Sequence, residues 1–458
     1  MDQKPASTLK PQDWMKASET RAVMEALGRG DALFVGGCVR NALLGQPVDD
    51  IDIVSILRPD EVTKKLEAVG IKVIPTGIDH GTVTAVASGK PFEITTLRKD
   101  VETDGRHAVI EFSTDWAEDA RRRDFTMNTL LMDLEGNIYD PLGCGLEDLR
   151  ARRVVFVGDP RERIAEDHLR ILRYFRFHAL YSAGLPDKKA LSACRAASDK
   201  IAGLSKERIT QEFFKILSVD NPAEILALMF DNGILLPLIQ PSPVLEYPSP
   251  GGRGRRSAAE QGEGGNMTLL KNLCHFQKNY GLVSIAARLL VLAGFAEEVM
   301  QKSPSLEGGG KGEGIESNNI EHPHPNPPPQ GGEDSGDVMN RIASLSKFLL
   351  IPKVFRKDMQ AIYEVLKLPD LSNDHAVKVA VYKHGRIPTA QALMIELALD
   401  RVMNGYAPQA VKIIQNWDIP DFPITGEDLI KQGFKPGPEL GAELSRREEA
   451  WIKVGFKS

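Results

Sequence analysis

The pattern of apolar and polar positions changes character along the chain. Residues 20–29 have the spacing of a helix. From Ala32 the run ALFVGG predicts a short strand ending in glycines, and Arg40 to Leu44 opens a short helix. Ile51 to Ser55 alternates with aspartates and predicts a second strand. Val83 to Ala87 and Phe92 to Leu97 are β-rich runs bounded by Gly81 and Gly89-Lys90-Pro91, which predicts a hairpin. After Arg163 the periodicity is helical, as in Gln211 to Leu217, Ala223 to Phe230, Val283 to Phe295 and Val377 to Val381. The expected class is α+β: a mixed α/β head followed by an all-helical remainder. The expected division is an N-terminal helical extension (1–30), a head (31–150), a neck (151–218), a helical body (219–400) and a C-terminal tail (401–458).

Two tracts interrupt the helical part. One, near 241–266, contains PSPGGRGRRSAAEQGEGGN; the other, near 303–337, contains EGGGKGEG and HPHPNPPPQGG. Neither has enough apolar surface to order itself, so both read as disordered loop insertions, where added length costs little. GGGKGEG lacks the Ser or Thr that follows Lys in a phosphate loop and has no strand before it. His322 and His324, flanked by prolines, read as solvated rather than as metal ligands.

Length and composition narrow the class. At 458 residues, the chain has room for roughly three domains. Hydrophobic content of 42% and charged content of 26% are those of a soluble globular protein. No apolar run approaches the roughly 20 residues of a bilayer span. Met1 to Lys10 has no apolar signal-peptide core, so a cytoplasmic location without membrane contact is expected. Cys38, Cys144, Cys194 and Cys274 are scattered, without a CxxC pair, and read as reduced thiols. The net charge of −6 argues against indiscriminate nucleic-acid binding. It conceals arginine clusters at Arg121 to Arg123, at Arg150, Arg152 and Arg153, and from Arg161 to Arg176.

The chemistry concentrates in Gly36-Gly37-Cys38-Val39-Arg40, followed after nine residues by Asp50-Ile51-Asp52. A strand running into Gly-Gly brings backbone N–H groups close to an anion, and the following helix N-terminus adds partial positive charge. Arg40 can fork onto a phosphate. Asp50 and Asp52, two apart on a strand, are expected to face one side. Paired carboxylates beside a triphosphate suit two magnesium ions, one activating an attacking hydroxyl and one holding the triphosphate. Glu93, on the Phe92–Leu97 strand, is a candidate third carboxylate. Taken singly, a GG dipeptide is usually a turn and Asp-x-Asp a solvated strand face; it is the combination at this spacing that points to catalysis.

Further motifs follow in order. Arg122-Arg123-Asp124-Phe125-Thr126-Met127-Asn128, Asp140 to Leu149 (DPLGCGLEDL), Glu166 to Arg173 (EDHLRILR) and Ser205 to Glu212 (SKERITQE) extend the series. Together these segments resemble the class II tRNA nucleotidyltransferase and bacterial poly(A) polymerase family of the polymerase-β superfamily. Gly426-Glu427-Asp428-Leu429 and Gly437-Pro438 are similar to the tail of its bacterial members. Asn41, Cys144 and Thr129 depart from the usual Asp, Gly and Ala. Asn41 can still hold its turn by hydrogen bonding, and no departure removes a metal ligand.

The resemblance implies that Asp124 accepts a hydrogen bond from a ribose 2′-OH, that Arg123 meets the triphosphate, and that Asn128 belongs to the nucleotide site. It also implies that the turn Asp104-Gly105-Arg106 belongs to a flexible loop involved in switching from C to A addition. Asp167, Arg170, Arg173 and Arg176 recur every three residues and are expected to line a groove, with Leu169, Leu172 and Phe175 facing the core. A carboxylate accepts from the amino group of C or A, and an arginine donates to their ring nitrogen; U and G present the opposite pattern. Asp167 with Arg170 therefore selects C and A, while Arg173 and Arg176 hold phosphate or orient the base. The expected reaction is CCA addition to the 3′ end of tRNA from CTP and ATP, with Mg2+ and no obligate protein partner. A poly(A) polymerase, a partial CC- or A-adding enzyme, and an inactive RNA-binding relative are the alternatives.

Overall fold

The computed structural model describes residues 4–103, 108–235, 264–292, 349–368 and 371–457. Most of the two Gly/Pro tracts, and the turn at Asp104 to Arg106, lie outside the described residues. Residues 264–266 of the first tract already belong to a helix, Gly264–Tyr280. The chain divides into two compact units: residues 1–216 with 228–237, and residues 217–227 with 238–458.

The first unit is built on an eight-stranded sheet in the order β1-β10-β9-β2-β3-β6-β5-β4. Its strands are β1 (Ser7–Thr8), β2 (Ala32–Val35), β3 (Asp52–Ser55), β4 (Lys72–Gly77), β5 (Thr82–Ala87), β6 (Lys90–Thr96), β9 (Leu131–Met132) and β10 (Asn137–Tyr139). Strands β7 (Arg98–Thr103) and β8 (Ala108–Phe112) form a separate pair. β5 and β6 are the predicted hairpin. β3 and β6 are parallel, which sets Asp52 beside Glu93.

β2 is buried along its whole length, as a central strand covered on both faces must be. Leu33 and Val35 share one face with Val54, Leu97 and Leu131. Phe34 points the other way and meets Trp14 at 4.9 Å. Helices α1 (Asp13–Lys16), α2 (Ser18–Leu27) and α4 (Pro59–Glu67) belong to this half, with α2 and α4 packed on the sheet. α3 (Gly37–Leu43) follows β2 directly.

The segment expected as a helical extension is therefore partly strand. β1 pairs with β10 in the register Ser7 to Ile138. Gly136 makes this possible, since a Cβ there would lie 1.9 Å from the Leu9 carbonyl oxygen.

Helices α5 (Trp116–Arg121), α6 (Gly145–Arg150), α7 (Pro160–Glu166), α8 (Leu169–Tyr181), α9 (Lys188–Ala196) and α10 (Lys206–Leu217) follow. α8 buries Leu169, Leu172 and Phe175, as expected of its core face. Phe125 packs against Phe156 and Phe177, each at 4.9 Å, which ties the end of the head to α8.

The second unit is helical throughout its described residues. Its helices include Gly264–Tyr280, Ile285–Leu292, Lys353–Leu366, Asp374–His384, Arg386–Ala398, Ala407–Asn416 and Pro438–Lys453. Inside it the buried Arg288 donates to Gln277 at 2.9 Å and to the Val219 carbonyl at 2.8 Å. The four cysteines are unpaired, three of them buried.

Candidate nucleotidyl-transfer site

A cavity of about 450 Å3 opens in the first unit. Gly36, Gly37, Arg40, Asp52, Arg122, Arg123, Asp124, Asn128, Asp167, Arg170, Arg173, Arg176 and Phe177 line it. All ten residues expected to bind nucleotide are gathered there; Arg122 and Phe177 are additions. A larger cavity, about 640 Å3, lies against α4 and Phe112 and shares none of these residues. Its walls mix Arg58, Asp60, Lys64 and Glu67, without the convergent donors that an anion needs.

The floor comes from Gly36, whose φ of 69° with ψ of −120° is accessible only to glycine. A Cβ there would lie 3.8 Å from Arg123 Nη1 and 3.8 Å from Asp52 Oδ2, so a cation and a carboxylate flank this loop. Asn41 holds its turn as expected: its Nδ2 donates to the Pro47 carbonyl at 3.0 Å.

The carboxylates differ from expectation in one respect. β3 begins at Asp52, so Asp50 precedes the strand and is exposed, with the buried Ile51 between them. The pairing of β3 with β2 starts at Ile53, which leaves Asp50 without a cross-strand neighbour to hold it extended. The close partner of Asp52 is instead Glu93, across the parallel pair. Burial, and then the charges of Glu93 and Asp50, push the Asp52 carboxyl up to about 6; Arg123 and Arg40 oppose this. Among the described residues no group of three or more His, Cys, Asp or Glu side chains is gathered tightly enough to enclose a metal ion. An acid raised by neighbouring acids is nonetheless a donor set that a divalent cation relieves, and Mg2+ commonly takes one or two carboxylates and completes its shell with water and substrate phosphate. The residues present fit that mode.

The arginines are aimed by acids behind them. Asp119 is buried; it accepts from Arg122 Nε at 2.7 Å and from Arg123 Nε and Nη2 at 3.0 and 2.9 Å. Asp124 Oδ1 accepts from the Phe125 N–H at 2.9 Å and Asn128 Nδ2 at 2.8 Å; its Oδ2 accepts from Arg173 Nε at 2.8 Å. Burial alone would raise the Asp124 carboxyl, but Arg173 and Asn128 outweigh it and hold it below the ordinary range. Asn128 Oδ1 in turn accepts from Arg40 Nη1 at 2.6 Å.

The stripe expected to read the base is not one continuous helix. α7 ends at Glu166, and Asp167 is extended, with φ of −153° and ψ of 105°. Its carboxylate then accepts from the Leu169 N–H at 3.1 Å, at the start of α8. The reason is local: a carboxylate just ahead of a helix satisfies a backbone donor that the helix leaves open. Arg170 Nη1 donates to Glu166 Oε2 at 2.7 Å and to the Arg163 carbonyl at 2.9 Å.

Two residues of α10 complete the arrangement. Arg208 Nη2 donates to Asp167 Oδ2 at 2.6 Å. Glu212 Oε2 lies 2.7 Å from Arg176 Nε, in an ion pair whose alignment is too poor for a hydrogen bond, and its Oε1 lies 3.7 Å from Arg173. The sequence alone singles out neither, although both stand in SKERITQE, four apart and so on one helix face.

A glycine floor, a carboxylate pair and convergent arginines on such a sheet define a nucleotidyltransferase head joined to helices. Residues 32–155 match the family described as Poly A polymerase head domain, and residues 186–246 the one described as a probable RNA and SrmB-binding site of polymerase A. Over 92% of its length the chain is 32% identical to the mitochondrial CCA tRNA nucleotidyltransferase 1 of Mus musculus, covering 83% of that protein. It is 39% identical to the CCA-adding enzyme of Geobacillus sp. (strain WCH70) over 45% of this chain and 50% of that one. The chain belongs to the CCA tRNA nucleotidyltransferase family. Its fold is that of the Bacillus stearothermophilus CCA-adding enzyme solved in complex with CTP, at a TM-score of 0.67, with 23% identity over 95% of this chain and 92% of the other. Among the described residues no helix is long and apolar enough to cross a membrane.

Proposed function

We propose that this chain is a cytoplasmic, Mg2+-dependent enzyme that adds CCA to the 3′ end of tRNA, taking CMP and AMP from CTP and ATP with release of pyrophosphate. The observation that carries the reading is the single cavity in which Asp52, the Gly36-Gly37 floor and the arginines of the RRD and EDxxRxxR segments converge.

In this reading Asp50 and Asp52, with Glu93 beside them, hold the cation. When bound, the cation lowers the pKa of the RNA 3′-OH and neutralises charge on the triphosphate. Gly36 and Gly37 let the triphosphate approach the backbone, and Arg40 and Arg123 draw it into line. Asp124 takes the ribose 2′-OH. Its acceptor positions are already shared among Phe125, Asn128 and Arg173, so the ribose takes up a place that Arg173 yields. Asp167 keeps acceptor capacity beyond Leu169 and Arg208 and takes the amino group of C or A, while Arg170 donates to the ring nitrogen. The head, neck, body and tail division follows from the same reading, with the helical second unit gripping tRNA.

The test is to incubate the protein with tRNA lacking its last three nucleotides, CTP and ATP, and to sequence the products. Addition of CCA followed by a stop is expected. Long runs of A on unstructured RNA, with CTP ignored, would make it a poly(A) polymerase. Asp167→Ala and Arg170→Ala should each relax discrimination against UTP and GTP by about 1–3 kcal/mol. Unchanged selectivity would place the template elsewhere.

A further inference from the structure

Every guanidinium on the cavity wall except one has a carboxylate within ion-pairing distance. Asp119 serves Arg122 and Arg123, Glu166 serves Arg170, and Asp124 and Glu212 serve Arg173 and Arg176. Among the described residues Arg40 is the exception. Its hydrogen-bond partners are neutral: Asn128, Asn41 and the Tyr181 hydroxyl, the last at 2.8 Å. Arg40 is buried, and its Nε has no partner. Asp124 and Asp52 act on it only from beyond ion-pairing distance, and a buried cation without a paired anion is costly. What faces it are two rings: Tyr181 at 4.3 Å and Phe177 at 5.0 Å from the guanidinium carbon. Phe177 also carries Arg173 at 5.3 Å and Arg176 at 4.9 Å. One buried ring at the cavity wall therefore lies against three guanidiniums that repel one another.

We infer that Phe177, assisted by Tyr181, is a positioning residue for nucleotide binding: its ring stands in for a paired counter-anion at Arg40 and, lying also against Arg173 and Arg176, holds the three converged before the triphosphate arrives. A carboxylate in that place would also hold Arg40, but it would compete with the phosphate. A ring attracts cations without offering an acceptor, so it is displaced at little cost when the anion comes in. An aliphatic side chain of similar bulk would fill the space and leave the cations to spread. The inference rests on the nucleotide-transfer reading above.

The test replaces Phe177 with mono-, di- and trifluorinated phenylalanine, which keep its shape while draining the negative face of the ring. Affinity for CTP is measured by equilibrium titration in Mg2+ without RNA, and kcat for CMP transfer at saturating CTP. Kd should rise stepwise to about tenfold across the series, with kcat changing less than about twofold. Phe177→Tyr should bind nearly as the unmodified protein does, and Phe177→Leu nearly as the trifluorinated one. A flat series, or Phe177→Leu binding CTP as tightly as the unmodified protein, overturns the inference. A flat series with normal CCA addition sinks the platform alone. A graded series without transfer to tRNA sinks the functional reading alone, and no CTP binding by the unmodified protein sinks both.

Discussion

The Asp52→Asn substitution in metal-free protein tests the electrostatics on which the proposed catalysis rests. Asp52 begins β3, and parallel pairing fixes it beside Glu93. Its carboxyl is raised from the ordinary 3.8 to about 6, first by burial and then by Glu93 and Asp50. The native state therefore binds this proton more tightly than the unfolded chain does. Stability from this group is fully present below pH 3.8 and is lost as pH rises to about 6. The displacement corresponds to at most roughly 3 kcal/mol, less some solvent screening. Asn carries no charge at any pH. The variant should match the unmodified protein near pH 4 and exceed it in Tm above pH 7, by up to roughly 5–10 °C for a unit of this size.

Calorimetry in a chelator across this pH range measures the gap. Mg2+ added at pH 7.5 should raise the Tm of the unmodified protein and not that of Asp52→Asn, because only the former gains by binding. Transfer activity of the variant should be lost. If Asp52→Asn is less stable than the unmodified protein at pH 7.5 in chelator, or if the gap ignores pH, then Asp52 is not a strained acid.

Three further substitutions probe the walls of the cavity. Asp119→Asn removes the negative charge shared by Arg122 and Arg123 and replaces one acceptor oxygen with a donor, and should cost about 3 kcal/mol in urea denaturation, with a raised KM for CTP; an unchanged KM would separate Asp119 from the nucleotide site. Gly36→Ala meets nothing closer than 3.8 Å but forces a side chain onto φ of 69°; it should fold, lose about 1–3 kcal/mol and bind CTP more weakly in equilibrium titration. Asp124→Asn should reduce the preference for CTP over dCTP by about tenfold, the worth of one hydrogen bond to a charged acceptor; an undiminished preference would place 2′-OH recognition elsewhere.

What the sequence disclosed depended on how local the signal was. The β5–β6 hairpin and the buried row of α8 were legible because periodicity is a property of neighbours. The strand at β1 was not: it exists only because Gly136, far along the chain, lets Leu9 come close. The ten residues proposed to bind nucleotide were recognisable as motifs, yet their partners were not. Asp124 finds Arg173 across 49 positions, and Asp167 finds Arg208 across 41. The regular three-residue spacing from Asp167 to Arg176 suggested one helix. The carboxylate's affinity for an open backbone N–H at Leu169 breaks that helix instead.

The arginine clusters signalled an anion site despite the net charge of −6, but how that site keeps its sign beside so many paired acids emerges only in three dimensions. The pairs are unequal in depth. Asp119 is 2% exposed against 18% for Arg122 and Arg123, and Glu212 is 6% exposed against 30% for Arg173 and 15% for Arg176. Each acid sits behind its arginines, where the low dielectric strengthens its hold, and each arginine stands toward the cavity. In the proposed reading an incoming triphosphate therefore meets oriented guanidiniums whose reorganisation was completed on folding. The Glu166–Arg170 pair reverses this order, with the acid at 23% and the arginine at 14%. That reversal falls where the proposed reading needs hydrogen bonds to an uncharged base and not attraction for phosphate.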